Sequence, residues 1–105
     1  MIVEKLEVVT IKLSIQSKEK DIMEFLNHLH QILQHEDFDV VERLKEYSKT
    51  LIDKDDLNPP MLFVFSKDIQ CRQVYIKLKI KGVLARHVLC VSFHYAKRKM
   101  QFPYA

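Results

Sequence analysis

Between Val74 and Lys81 the chain alternates strictly: Val74, Ile76, Leu78 and Ile80 are apolar, while Tyr75, Lys77, Lys79 and Lys81 are polar at their tips. A period of two sends alternate side chains to opposite faces of a β-strand and is incompatible with an amphipathic helix. One face of that strand is oily and must be covered, so the chain has to build a sheet and a second layer over it.

The flanking segments supply both. Met61–Phe65 is a continuous apolar run, the pattern of a strand buried on both faces. Ser66, Lys67 and Asp68 then read as a turn, and Gly82, the single glycine, marks the next connection. Leu89, Val91 and Phe93 alternate with Val88, Cys90, Ser92 and His94 in a further strand. Short links between successive strands favour an antiparallel meander. Upstream, Leu6–Gln16 is rich in β-branched residues and reads as a strand, with a helix as the rival. Ile22, Phe25, Leu26, Leu29, Ile32 and Leu33 recur at helical spacing, which predicts an amphipathic helix from about Lys18 to Gln34, capped by Ser17. Asp39 with Glu42 forms a capping-box pattern, and Val41, Leu44, Ser48 and Leu51 extend a second helix to about Ile52. Pro59 and Pro60 close a polar linker that begins at Lys54. The expected fold is α+β: one domain over residues 1–105, an antiparallel twisted sheet of three to four strands with one to two helices on one face.

Charge narrows the function. Residues 61–105 hold nine of the 17 Lys and Arg but one of the 14 acidic residues, leaving eight bases and 13 acids upstream. A half-chain at +8 beside one at −5 points to a polyanionic partner, or to a basic sheet that complements its own acidic half. No run is long enough for a membrane span, and the N-terminus mixes acids and bases from the start, unlike a leader. The expectation is a cytoplasmic chain with no membrane partner. Cys71 and Cys90 form no framework and are expected buried and reduced. Gly-rich phosphate loops, HExxH and GxSxG patterns and paired-Cys zinc spacings are absent from the sequence, so neither a metal nor a small-molecule cofactor is expected.

If Ile76 and Leu78 face the helices, Tyr75, Lys77, Lys79 and Lys81 face outward; if Leu89, Val91 and Phe93 face the same core, Cys90, Ser92 and His94 join that outer face. Cleavage of RNA needs a proton taken from the 2′-OH, charge neutralised at phosphorus, and a proton delivered to the 5′ oxygen. Histidine serves as acid or base near neutral pH. Lysine and arginine neutralise the developing charge, and tyrosine stacks on a base or relays a proton. The candidate catalytic residues are therefore Tyr75, His94 and Lys77. Arg72, Lys79, Lys97, Arg98 and Lys99 are candidates for holding RNA.

At these residues the chain resembles a known family. QVYIKLKI from Gln73 to Ile80, VLCVSFH from Val88 to His94 and FPY from Phe102 to Tyr104 look like the C-terminal half of the MqsR-like toxins of bacterial toxin–antitoxin modules. There a V-Y-[IL]-K run and a V-S-F run form adjacent strands of a RelE-like sheet. Phe63–Asp68 is similar to the family's W-V-F-G-K-D stretch, and Ser92–Ala96 to its SFH-x-A segment. The resemblance covers residues 61–104 and implies a RelE-like endoribonuclease that cuts mRNA and is neutralised by a cognate antitoxin. It gives Tyr75 an active-site role and puts His94 at the family's basic position after V-S-F. The chain departs from the pattern in its short middle. No lysine aligns with the catalytic Lys of the family's D-[FY]-Y-K segment, for which Lys54 substitutes poorly, and Val64 stands in place of a Gln. The alternatives are a non-catalytic RNA- or antitoxin-binding protein, and a structural protein whose basic sheet answers its own acids.

Overall fold

The computed structural model describes residues 14–15, 17–82 and 86–105. Apart from Ser14–Ile15, the strand expected over Leu6–Gln16 lies outside the described residues. The elements run β1 (Ser14–Ile15), α1 (Glu19–Leu33), α2 (Val40–Lys45), β2 (Tyr47–Ile52), β3 (Met61–Ile69), β4 (Arg72–Lys81) and β5 (His87–Tyr95). The strands form one antiparallel sheet in sequence order, four long strands with the two-residue β1 at one edge.

Both helices lie on one face of the sheet. Ile22, Phe25, Leu26 and Leu29 of α1 and Leu44 of α2 are buried with Tyr47, Phe65 and Ile80, and Phe63, Leu78 and Val88 pack against them. The aromatic contacts anchor this layer: the Phe25 ring stacks on Phe63 at 4.1 Å and lies 6.0 Å from Phe65. With Phe25 only 8 % exposed, Phe25→Ala is expected to cost about 3–5 kcal/mol, measurable as a lowered denaturation midpoint in urea. An unchanged midpoint would place the core elsewhere.

Several sequence expectations are corrected. The second helix stops at Lys45, and Tyr47–Ile52 is a strand paired with β3. Helical spacing there needed a polar residue, Ser48, on the buried stripe. The aromatic and β-branched Tyr47, Thr50 and Ile52 instead suit the pleated surface. Ser66, Lys67 and Asp68 do not turn but continue β3, and the hairpin turns at Gln70 and Cys71, whose φ angles are 54° and 61°. Two consecutive positive φ values suit a two-residue hairpin loop, yet Gln and Cys carry none of the usual turn chemistry. Cys71 is therefore exposed, and so is Cys90, which sits on the edge strand. Ser17 does not cap α1; Lys18 takes the N-cap position without a side-chain bond, while Ser17 Oγ pairs with Thr50 Oγ1 at 2.7 Å.

The largest correction concerns β5. Leu89, Val91 and Phe93, expected inward, are 47 %, 45 % and 63 % exposed. The pairing with β4 steps from Lys77–Ser92 to Leu78–Cys90, so Val91 is an unpaired bulge. A bulge adds one residue and reverses which face the strand presents. Val88 and Cys90 share the helix side with Ile80 and Leu78, whereas Leu89 lies opposite Lys79 on the other face. Phe93 pairs with Ile76 on the helix side, on the edge strand where it stays largely uncovered.

Beyond β5 the chain crosses the end of the sheet as a strap. Ala96 N donates to Gln73 O at 2.8 Å and Met100 N to Gln73 Oε1 at 3.3 Å. Tyr104 then stacks on Tyr47 at 5.8 Å, and its hydroxyl donates to the Ser17 carbonyl.

Candidate functional site

The face away from the helices is built in register across the sheet. Lys49, Val64, Lys77 and Ser92 are paired in succession on neighbouring strands, and so are Ser66, Tyr75 and His94. Val64 and Ser66 are buried, which leaves the flanking cations and the aromatic pair standing above them. A second bulge, at Ser48 in β2, puts Lys49 here. Tyr47 faces the helices, and without the inserted residue Lys49 would follow it to that side.

Tyr75 and His94 form the centre. Their rings stack at 5.1 Å and are 8° from parallel. The Lys77 ammonium lies 5.8 Å from the Tyr75 ring centroid. His94 Nδ1 lies 2.9 Å from the Tyr95 carbonyl oxygen. A carbonyl only accepts, so Nδ1–H donates, and Nε2 is the ring nitrogen that carries the lone pair in the neutral form. Burial pushes the Tyr75 phenol above its ordinary value of 10.0, at which it already holds its proton at neutral pH. A cleft of about 470 Å³ opens beside this pair. Ser48, Lys49 and the strap residues Lys97, Arg98 and Lys99 line its other side, and among the described residues no carboxylate lines it.

The structure thus brings together Tyr75, His94, Lys77, Lys97, Arg98 and Lys99 of the residues singled out from the sequence. It adds Lys49, hidden in the sequence inside what looked like a helix. The signal that would have found it is the strand-forming content of Tyr47–Ile52. Arg72 stands at the adjoining end of β4, with its guanidinium 3.7 Å from the centroid of the Tyr95 ring.

Lys79 is not a site residue. It shares the outer face with Lys77, but the 53–60 loop folds over it and leaves it 1 % exposed. Its Nζ donates to Asp53 Oδ2 at 2.8 Å, to the Asp56 carbonyl at 3.0 Å and to the Pro59 carbonyl at 3.1 Å. All three ammonium protons are used, so none remains for a phosphate. Lys81 is likewise paired, with Asp56. Burial alone would lower the Lys79 pKa; the hydrogen bond and charge of Asp53, then those of Asp56, outweigh it and raise it. The basic face therefore splits in two. One end answers the chain's own acids, and the other, around Tyr75 and His94, keeps its cations free of carboxylate partners among the described residues.

Among the described residues no helix is long and apolar enough to cross a membrane. In comparisons with protein-family models, curated proteins and solved structures, nothing matches this chain.

Proposed function

We propose that this protein is an endoribonuclease toxin of the RelE-like, MqsR-like type, cutting mRNA in the cytoplasm and silenced by a cognate antitoxin. The observation that carries the reading is the Tyr75–His94 stack, with an acceptor nitrogen free, in a cleft rimmed by cations. His94 Nε2 takes the proton of a ribose 2′-OH. The 2′ oxygen attacks the adjacent phosphorus, forming a 2′,3′-cyclic phosphate as the bond to the 5′ oxygen breaks. That oxygen leaves with a proton from the Tyr75 phenol. Lys77 and Lys49 neutralise the charge that accumulates at phosphorus. Lys49 supplies the cation for which the sequence offers no aligned lysine.

The test is cleavage of a defined mRNA by the purified chain in the presence of a chelator, with the new ends mapped. The expected products carry 2′,3′-cyclic phosphate and 5′-hydroxyl ends. Lys49→Ala is expected to slow cleavage by about tenfold to a hundredfold, while Lys54→Ala leaves it unchanged. If wild-type protein retains RNA but never cuts it, the chain is a binding module and the catalytic assignment is lost.

A further inference from the structure

The cleft does not end at the basic strap. A second groove of about 300 Å³ shares Ala96, Lys97, Arg98 and Lys99 with it and continues to Arg72 and Gln73 at the end of β4. Arg72 is prepared for an anion there. Its guanidinium rests on the Tyr95 ring, which fixes its plane while leaving its N–H donors unclaimed among the described residues. It forms no ion pair with a carboxylate among the described residues. Asp68, the acid on the facing strand, is paired in register with Gln73 rather than with Arg72. Gln73 ties the strap to β4 through its main-chain carbonyl and its side chain, so the basic loop is held between the two grooves.

We infer that this second groove is a flank-binding subsite, in which Arg72, shelved on Tyr95, holds the phosphate backbone of single-stranded RNA after it leaves the Tyr75–His94 cleft. This rests on the RNA reading of that cleft and adds a direction to it: the strand passes over Lys97, Arg98 and Lys99 toward Arg72. The groove makes affinity depend on RNA length, because a short oligonucleotide fills the cleft without reaching Arg72.

The probes are 2′-O-methyl oligonucleotides, which cannot be cleaved, one a trinucleotide and one of roughly twelve nucleotides, the scale of single-strand binding sites. Binding is followed by fluorescence anisotropy over a range of salt. Arg72→Gln is expected to weaken the longer RNA by about fivefold to tenfold and to flatten its log–log salt slope by about 0.7 for each phosphate no longer neutralised. The trinucleotide is expected to stay within about twofold. Tyr95→Leu, which removes the shelf and keeps the arginine, should reproduce part of the loss on the longer RNA alone. Equal losses on both lengths, or none on either, overturn the flank subsite while leaving the cleft standing. A wild-type chain that binds neither length removes both.

Discussion

His94→Ala is expected to lower the rate of RNA cleavage by about a hundredfold to ten-thousandfold, the range that a positioned acid or base contributes. RNA binding should change little, because the cations that attract the phosphates stay in place. The split follows from the geometry. His94 is held by the stack on Tyr75 and one hydrogen bond, from Nδ1 to the Tyr95 carbonyl, and is exposed on the edge strand. Truncating it opens no core cavity, so a lost rate cannot be put down to misfolding. Tyr75→Phe isolates the other half of the pair: it keeps the ring stacked on His94 and removes only the phenol hydroxyl. A variant that loses rate but not affinity supports proton donation, whereas a lost affinity would make the Tyr75 hydroxyl a hydrogen-bonding contact to the RNA. Full cleavage by both variants would remove the pair from the chemistry.

The second large effect is on stability. Lys79→Met should lower the melting temperature by roughly 10 °C. It leaves Asp53 and the carbonyls of Asp56 and Pro59 without their donor beneath the 53–60 loop. Lys81→Met should cost far less, since Lys81 is 43 % exposed and its pairing with Asp56 is screened. Below the melting transition neither substitution should change RNA affinity, which separates these lysines from those of the cleft. Acid should reach the same cluster. The Lys81 hydrogen bond, helped by the Asn58 amide, lowers the Asp56 carboxyl from 3.8 to about 2, and Lys79 lowers that of Asp53. Depressed carboxylates contribute stability that is present above their unfolded value and is lost as pH falls through the folded one. The loss therefore belongs between about pH 4 and pH 2. The raised Lys79 acts in the opposite sense, its contribution present below its unfolded value of 10.5 and lost at higher pH. Thermal melts of wild type and Asp56→Asn across the acid range check this. If Asp56→Asn leaves the acid dependence untouched, the cluster does not govern it.

Periodicity and charge made much of this molecule legible before its structure. The stripe of Ile22, Phe25, Leu26 and Leu29 located α1 to within a residue at each end. The alternation of Val74–Lys81 gave β4 its inner and outer faces. The pairing of Tyr75 with His94 was also legible, because on the His94 side of the Val91 bulge the simple alternation still holds. Lys79 misled because alternation reports the face of a sheet and not what lies over that face. Asp53, Asp56 and the Pro59 carbonyl come from a loop that sequence pattern treats as a linker.

What the sequence determined by itself is local: where strand and helix periods run, and that the second half of the chain is strongly basic. What only the tertiary structure decided is which cations share a surface. Two bulges, at Ser48 and Val91, set that outcome. The first turns Lys49 away from the helices toward Tyr75. The second turns Val88 toward the core while His94 stays on the opposite face. A bulge is one extra residue whose place is fixed by pairing with a distant strand, so no pattern within a single strand announces it.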